Sequence, residues 1–185
     1  MSTIYFYRVS EHPYGIFSNF HRSPIEISST IYLTTEHYFQ SQKFPTSPSA
    51  QHQIITARTP SDAATLGRNR SFPLRPDWEQ VKDSIMKEAL MAKFKQHAKL
   101  REVLLGTGDR KLVEHTRNDS YWADGGDGSG KNMLGILLMD VRRILREEME
   151  KKIVVDLNRG NVGNVGGAVD QAQVTQAADM WGQIW

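Results

Sequence analysis

The sequence contains no cysteine. That absence excludes disulfides, thiolate catalysis and cysteine-held zinc, and it permits a reducing compartment. The six histidines are scattered, with no HxH, HxxxH or HExxH pair, so no metal site is expected. No apolar run approaches the length of a membrane span, and the first residues lack the apolar core of a secretory leader. An excess of one charge is also missing. A net charge of +2 leaves nothing global to demand nucleic acid or an anionic membrane. What remains is ordinary for a globular chain: 185 residues, 39% hydrophobic and 24% charged, enough for one domain with a core, with or without a tail. These features describe a soluble cytoplasmic protein with no cofactor, metal or membrane partner, and they leave its oligomeric state open.

The rest of the chain is organised around Thr35-Glu36-His37-Tyr38-Phe39-Gln40-Ser41-Gln42-Lys43-Phe44. It follows a strand-like run, Thr30–Leu33, and reads as a helix start with Thr34 or Thr35 as N-cap and a carboxylate in the first turn. Helical residues advance by about 100° each, so Glu36, Gln40 and Lys43 share one face while His37, Phe39 and Phe44 point elsewhere. A carboxylate, an amide and an amine in a row form either a solvated stripe or the wall of a polar pocket.

Upstream, Ile4–Val9 is aromatic and β-branched and reads as a strand. With Ile25-Glu26-Ile27 and Thr30–Leu33 it predicts a small N-terminal antiparallel sheet. Downstream the signals are helical. Ser49–Thr56 is one helix. Thr59-Pro60-Ser61-Asp62 starts a second, which ends at Gly67. Asp77 caps a long third helix running to Gln96, with Trp78, Val81, Ile85, Ala89 and Ala92 on its core face. Lys99–Leu105 is a short helix and Lys111–Glu114 a strand. Asn132–Lys152 is the last helix, its first half apolar nearly all round and therefore buried. From Asn158 glycine, alanine and glutamine dominate and apolar spacing is lost. The chain thus divides into a domain over 1–152 and a flexible tail over 153–185. Trp181 and Trp185 at its end suit docking on a partner or on the domain, or have no role at all.

Between strand and last helix lies a polar, glycine-rich loop. Gly125–Lys131 matches GxxxxGK by count, but Asn132 replaces the Ser or Thr that a magnesium hydroxyl needs, and no buried strand precedes it, so it is not a P-loop. Its glycines and the helix start after it are still a place for phosphate or carboxylate, or simply a flexible loop. Asn118-Asp119-Ser120-Tyr121-Trp122 sets an acid beside two aromatics, suited to a sugar hydroxyl and a planar base, or to a local turn. Arg68 and Arg70 suit phosphate or solvent.

These pieces, in this order, resemble the NADAR (YbiA-like) family. The resemblance rests on Gly15–Phe20, Tyr32 with Thr35–Phe44, Ala57–Pro60 with Leu66-Gly67-Arg68, and Trp78 with Met86 and Lys93-Phe94. It continues through Leu104–Gly108, Leu112-Val113-Glu114, Asn118-Asp119 with Trp122, and Gly130–Gly135 with Leu138–Arg142. One departure is Ala123 after Trp122, where the family pattern has glycine. The resemblance covers roughly Ile4 to Arg146. It implies a mainly helical α+β single domain that cleaves N-glycosidic bonds. Members hydrolyse phosphorylated riboflavin-pathway intermediates, aminopyrimidines on ribose 5-phosphate, and others remove ADP-ribose from guanine bases.

Such cleavage builds positive charge at the anomeric carbon and negative charge on the departing base. With the helical stripe, the resemblance implies Glu36 as the main carboxylate and Asp119 as second acid or ribose-binding group. Lys43 either contacts phosphate or forms a Schiff base with an opened ribose. Trp78 or Trp122 stacks the base. Asn19, Phe20, Gln40, Arg68, Gly130, Lys131 and Asn132 complete the expected substrate site, with Phe17–Phe20 and Gly130–Asn132 closing over the sugar phosphate. The partner is then a small ribosyl phosphate. The alternatives are an ADP-ribosyl-guanine hydrolase acting on nucleic acid and a non-catalytic nucleotide-binding module.

Overall fold

A seven-residue helix, α1 (Thr35–Ser41), lies at the centre of the packing, and every one of its residues is buried. Thr34 has extended backbone and its hydroxyl accepts the His37 N–H, so the cap is the one its chemistry predicts. The His37 ring then bridges the Thr34 hydroxyl at 2.8 Å and the Ala57 carbonyl at 3.1 Å. Burial lowers its pKa, so the ring is a neutral pin between α1 and the chain that follows.

The computed structural model describes residues 2–160. Two short helices, α2 (Pro48–Ile55) and α3 (Pro60–Gly67), pack on α1. The start of α3 is as expected: the Thr59 hydroxyl accepts the Asp62 N–H at 3.1 Å and Pro60 opens the helix. The long helix α4 (Trp78–Gln96), the short α5 (Ala98–Leu105) and the last helix α6 (Met133–Gly160) form the other side. Ile85, Met86, Leu90 and Phe94 of α4 share one core with Leu134, Leu138, Val141 and Leu145 of α6. Each such side chain contributes roughly 1.5–3 kcal/mol on burial, so this helix pair anchors the domain.

Three details differ from the sequence reading. Asp77 does not cap α4 with its side chain, because it pairs with Arg75 at 2.6 Å. Ile136 is 45% exposed, so the first half of α6 keeps one face in solvent. The helix also continues to Gly160, past Lys152 where the tail was expected to start. The remainder of that expected tail, with Trp181 and Trp185, lies outside the described residues. Among the described residues no helix is long and apolar enough to cross a membrane.

The strands depart from the single N-terminal antiparallel sheet. Strands β2 (Ile25–Ile27) and β3 (Thr30–Tyr32) do form an antiparallel hairpin, with Ile25 opposite Tyr32. Ser28 and Ser29 turn it with φ of 50° and 61°, the mirror-image turn that suits strand twist. The Gln96 amide engages Glu26 of β2, accepting its N–H at 2.9 Å and donating to its carbonyl at 2.8 Å. Strand β1 (Thr3–Phe6) does not join the hairpin. It pairs in parallel with β4 (Lys111–Glu114), placing Phe6 opposite Glu114. Alternation of apolar residues marks a strand but carries no record of a partner that follows so many helices later.

Candidate active site

Where α1, the start of α4 and the end of β4 converge, a cavity of about 540 Å³ opens. That volume suits a nucleotide-sized ligand. Helix α1 contributes Glu36, Phe39 and Gln40, with Lys43 just beyond it; Arg68 follows α3, and Trp78, Glu79 and Lys82 come from α4. Ser18, Asn19 and Phe20 form one wall, and Glu114 with Asn118, Asp119, Tyr121 and Trp122 the opposite strand and loop. Of the residues expected from the sequence, Glu36, Lys43, Asp119, Asn19, Phe20, Gln40, Arg68, Trp78 and Trp122 line this one cavity. The stripe on α1 is therefore a pocket wall, and Phe39, expected to point elsewhere, lines it too.

Glu36 is held by its neighbours. Gln40 Nε2 donates to its Oε1 at 2.7 Å, a charge-assisted bond of helical i, i+4 spacing. Burial raises the Glu36 pKa, and Gln40, Lys43 and Arg68 act in the opposite direction. The other end of that amide, Gln40 Oε1, is buried with no hydrogen-bond partner among the described residues. It is packed against Gly67, where an added Cβ would lie 1.8 Å from it. Lys43 Nζ donates to the Gly67 carbonyl at 3.2 Å and sits 5.4 Å from the Trp78 ring centroid. Burial lowers the Lys43 pKa, with Glu36 opposing.

The aromatic wall is continuous. Phe39 lies 4.9 Å from Trp78 and 5.3 Å from Trp122, and Trp122 lies 5.3 Å from Tyr121, all between ring centroids. Such a surface presents π faces and edges to a planar base. Behind the opposite wall, Lys93 is fully buried and donates to the Ser18 carbonyl at 3.0 Å. Burial pulls its pKa down to about 7. The neighbouring Asn19 is tied to the start of α1, its carbonyl accepting from the Thr35 hydroxyl at 3.1 Å and the Glu36 N–H at 3.3 Å.

Asp119 has a double position. Its Oδ1 accepts the N–H groups of Tyr121 and Trp122, each at 2.7 Å, which is the local turn that Asn-Asp-Ser sequences favour. Oδ2 takes no such bond among the described residues, and the side chain still borders the cavity.

Gly130, Lys131 and Asn132 do not line the cavity. The N–H groups of Gly128 and Gly130 donate to the Asp124 carbonyl at 3.1 and 2.8 Å, and that of Gly126 to the Asp124 carboxylate at 2.8 Å. The loop's donors are therefore occupied by its own acid rather than converging on an external anion. Gly130 is there for close packing, since a Cβ would lie 2.5 Å from the Ala123 carbonyl. Asn132, at φ 54°, accepts the Glu114 N–H at 2.9 Å and donates to the Leu112 carbonyl at 2.9 Å, so it joins α6 to β4. Lys131 reaches only the edge of the site, 4.8 Å from the Tyr121 ring centroid.

The residue that sequence reading passed over is Glu114. It ends β4 and lines the cavity with Glu36 and Asp119. Burial and the charges of Asp119, Glu36 and Asp124 push its pKa up to about 8. A signal was available: an acid at the end of a strand that leads into a polar loop. Among the described residues no group of three or more His, Asp or Glu is arranged to hold a metal ion. The site combines several carboxyls, one of them raised to about 8, with a buried amine and an aromatic wall, the inventory for acid–base chemistry on a base-bearing sugar.

The chain is 52% identical to the N-glycosidase YbiA of Escherichia coli over 145 residues, 78% of this chain and 89% of the relative. The NMR structure of E. coli YbiA superposes with a TM-score of 0.74 at 51% identity, covering 80% of this chain and 87% of that one. An N-glycosidase of Nostoc punctiforme is 50% identical over 146 residues, covering 78% of this chain and 93% of the relative. A riboflavin biosynthesis protein of Vibrio vulnificus is 38% identical over 151 residues, covering 82% of this chain but 41% of that longer protein. The model of the NADAR domain matches residues 5–146, from the second half of β1 through the buried part of α6, and takes in all of the cavity: the chain is a member of the NADAR domain family.

Proposed function

We propose that this protein is an N-glycosidase that hydrolyses the base–ribose bond of phosphorylated riboflavin-biosynthesis intermediates. The observation that carries the reading is the Glu36–Gln40 pair in a cavity that also holds Lys43, Arg68 and the Trp78–Phe39–Trp122 wall. The N-glycosidase relatives and the riboflavin-named relative support the same reaction class and substrate class. The base stacks on the aromatic wall. The Glu36 carboxylate, oriented by Gln40, stabilises positive charge at the anomeric carbon. Asp119 Oδ2 holds a ribose hydroxyl. Arg68, exposed at the mouth, meets the phosphate, and Lys43, its pKa lowered by burial, either joins it there or traps an opened ribose as a Schiff base. A charged ribosyl phosphate does not cross a bilayer, which supports a cytoplasmic setting.

The test is to incubate the purified protein with 5-amino-6-ribosylaminouracil 5′-phosphate and, separately, with DNA carrying ADP-ribosylated guanosine, and to follow release of free base. Release from the first, lost in Glu36→Gln with the fold intact, is the expected result. Release from the second alone would reassign the protein to nucleic acid. Binding of nucleotide without release from either would make it a binding module.

A further inference from the structure

We propose that Glu114 is the general acid of this site, delivering the proton to the departing base while Glu36 acts as the carboxylate. This deepens the N-glycosidase reading and rests on it. The backbone of Glu114 is fixed from three directions: β1 pairing sets its register opposite Phe6, Asn132 Oδ1 accepts its N–H at 2.9 Å, and its carbonyl accepts the Asp124 N–H at 2.9 Å. Its carboxyl, by contrast, lines the cavity with no hydrogen-bond donor in reach among the described residues. A residue anchored so firmly, with a functional group left free, is positioned for a ligand rather than for the fold.

The two glutamates face opposite surroundings. Burial raises the Glu36 pKa, and the Gln40 amide and the charges of Lys43 and Arg68 oppose that rise. Glu114 is faced by Glu36 from α1 and by Asp119 and Asp124 from the following loop, Asp124 being itself paired with His115 at 2.8 Å. The donors around Glu36 suit a carboxylate, and the acids around Glu114 suit a proton donor. Near neutral pH Glu114 keeps its proton, the form a general acid needs. In the reaction the C1′–N bond breaks and its electron pair leaves on the base. The Glu114 proton passes to the base. Water adds to C1′ and gives its proton to the Glu36 carboxylate, and exchange with solvent restores both groups.

Two measurements test this. The first is a pH titration of ¹³C-labelled glutamate carboxyls by NMR on the wild-type protein, with Glu114→Gln identifying the resonance. A carboxyl titrating near pH 8 that vanishes in the variant is expected; titration of Glu114 in the ordinary carboxylate range would overturn the proposal. The second compares leaving groups. Glu114→Gln should slow base release from the aminopyrimidine ribosyl phosphate by roughly 10²–10⁴-fold, the usual weight of general acid catalysis. It should slow cleavage of 4-nitrophenyl ribofuranoside 5-phosphate, whose leaving group needs no proton, by less than about tenfold. Equal losses on both substrates would overturn the assignment. A wild-type protein that cleaves neither substrate would end the functional reading, and the titration would still decide the protonation of Glu114.

Discussion

Lys93 offers the sharpest test of the physical account. It is fully buried, and its one hydrogen bond among the described residues goes to the Ser18 carbonyl. Burial lowers its pKa from 10.5 to about 7. The fold therefore prefers the neutral amine, whereas the unfolded chain takes up a proton anywhere below about 10.5. The penalty for burying the charge is fully present below pH 7, shrinks as pH rises from 7 to 10.5, and is absent above that. Stability from this group thus increases with pH, at about 1.4 kcal/mol per pH unit, for a total of about 5 kcal/mol. In Lys93→Met the titration is gone. The assay is urea unfolding of both proteins at several pH values between 6 and 9. The advantage of the methionine variant should be greatest at pH 6–7 and should fall by about 3 kcal/mol by pH 9. Parallel stability curves would refute the reasoning, because they would mean that Lys93 carries the same charge folded and unfolded. Loss of the Ser18 contact removes about 1 kcal/mol at every pH and does not alter the slope.

Two other outcomes follow from local geometry. Gly67→Ala places a methyl group 1.8 Å from Gln40 Oε1 and 2.9 Å from Gln40 Cβ, so the amide must leave Glu36. Without that donor the Glu36 pKa rises further, and the acid limb of the kcat–pH profile should move to higher pH; an unmoved limb would show that Gln40 does not tune Glu36. Replacing Ser28-Ser29 by Asn-Gly, which favours the positive φ both positions adopt, should raise stability by about 1 kcal/mol in thermal unfolding and leave turnover unchanged.

Helix starts were legible because capping is local chemistry. Thr34 and Thr59 each accept an N–H three residues on, and both are visible in the sequence as hydroxyl residues before a helical run. The α1 stripe was legible for the same reason: i, i+4 spacing alone brings Glu36 and Gln40 together. The partner of β1 was not, since Phe6 and Glu114 meet only after five helices have been laid down between them. That also explains why Glu114 escaped notice, because its place in the cavity is inherited from this pairing and from Asn132. The Gly125–Lys131 loop misled in the opposite direction. Its glycines do supply free N–H groups, but Asp124 is close enough to take them, and composition does not show which acceptor wins.

The β1–β4 pairing has a consequence for how the site is born. Phe6 and Glu114 are separated by more than a hundred residues, so their alignment carries a large loop-closure cost that is met only when the intervening helices have condensed. The α1 wall is built by neighbours in sequence, while the second carboxyl is placed by a long-range pairing. A nascent or truncated chain lacking either end of that pair holds Glu36 and Gln40 without the opposite side of the cavity. Catalytic competence is thereby bound to completion of the whole domain, and no fragment of it inherits a working share.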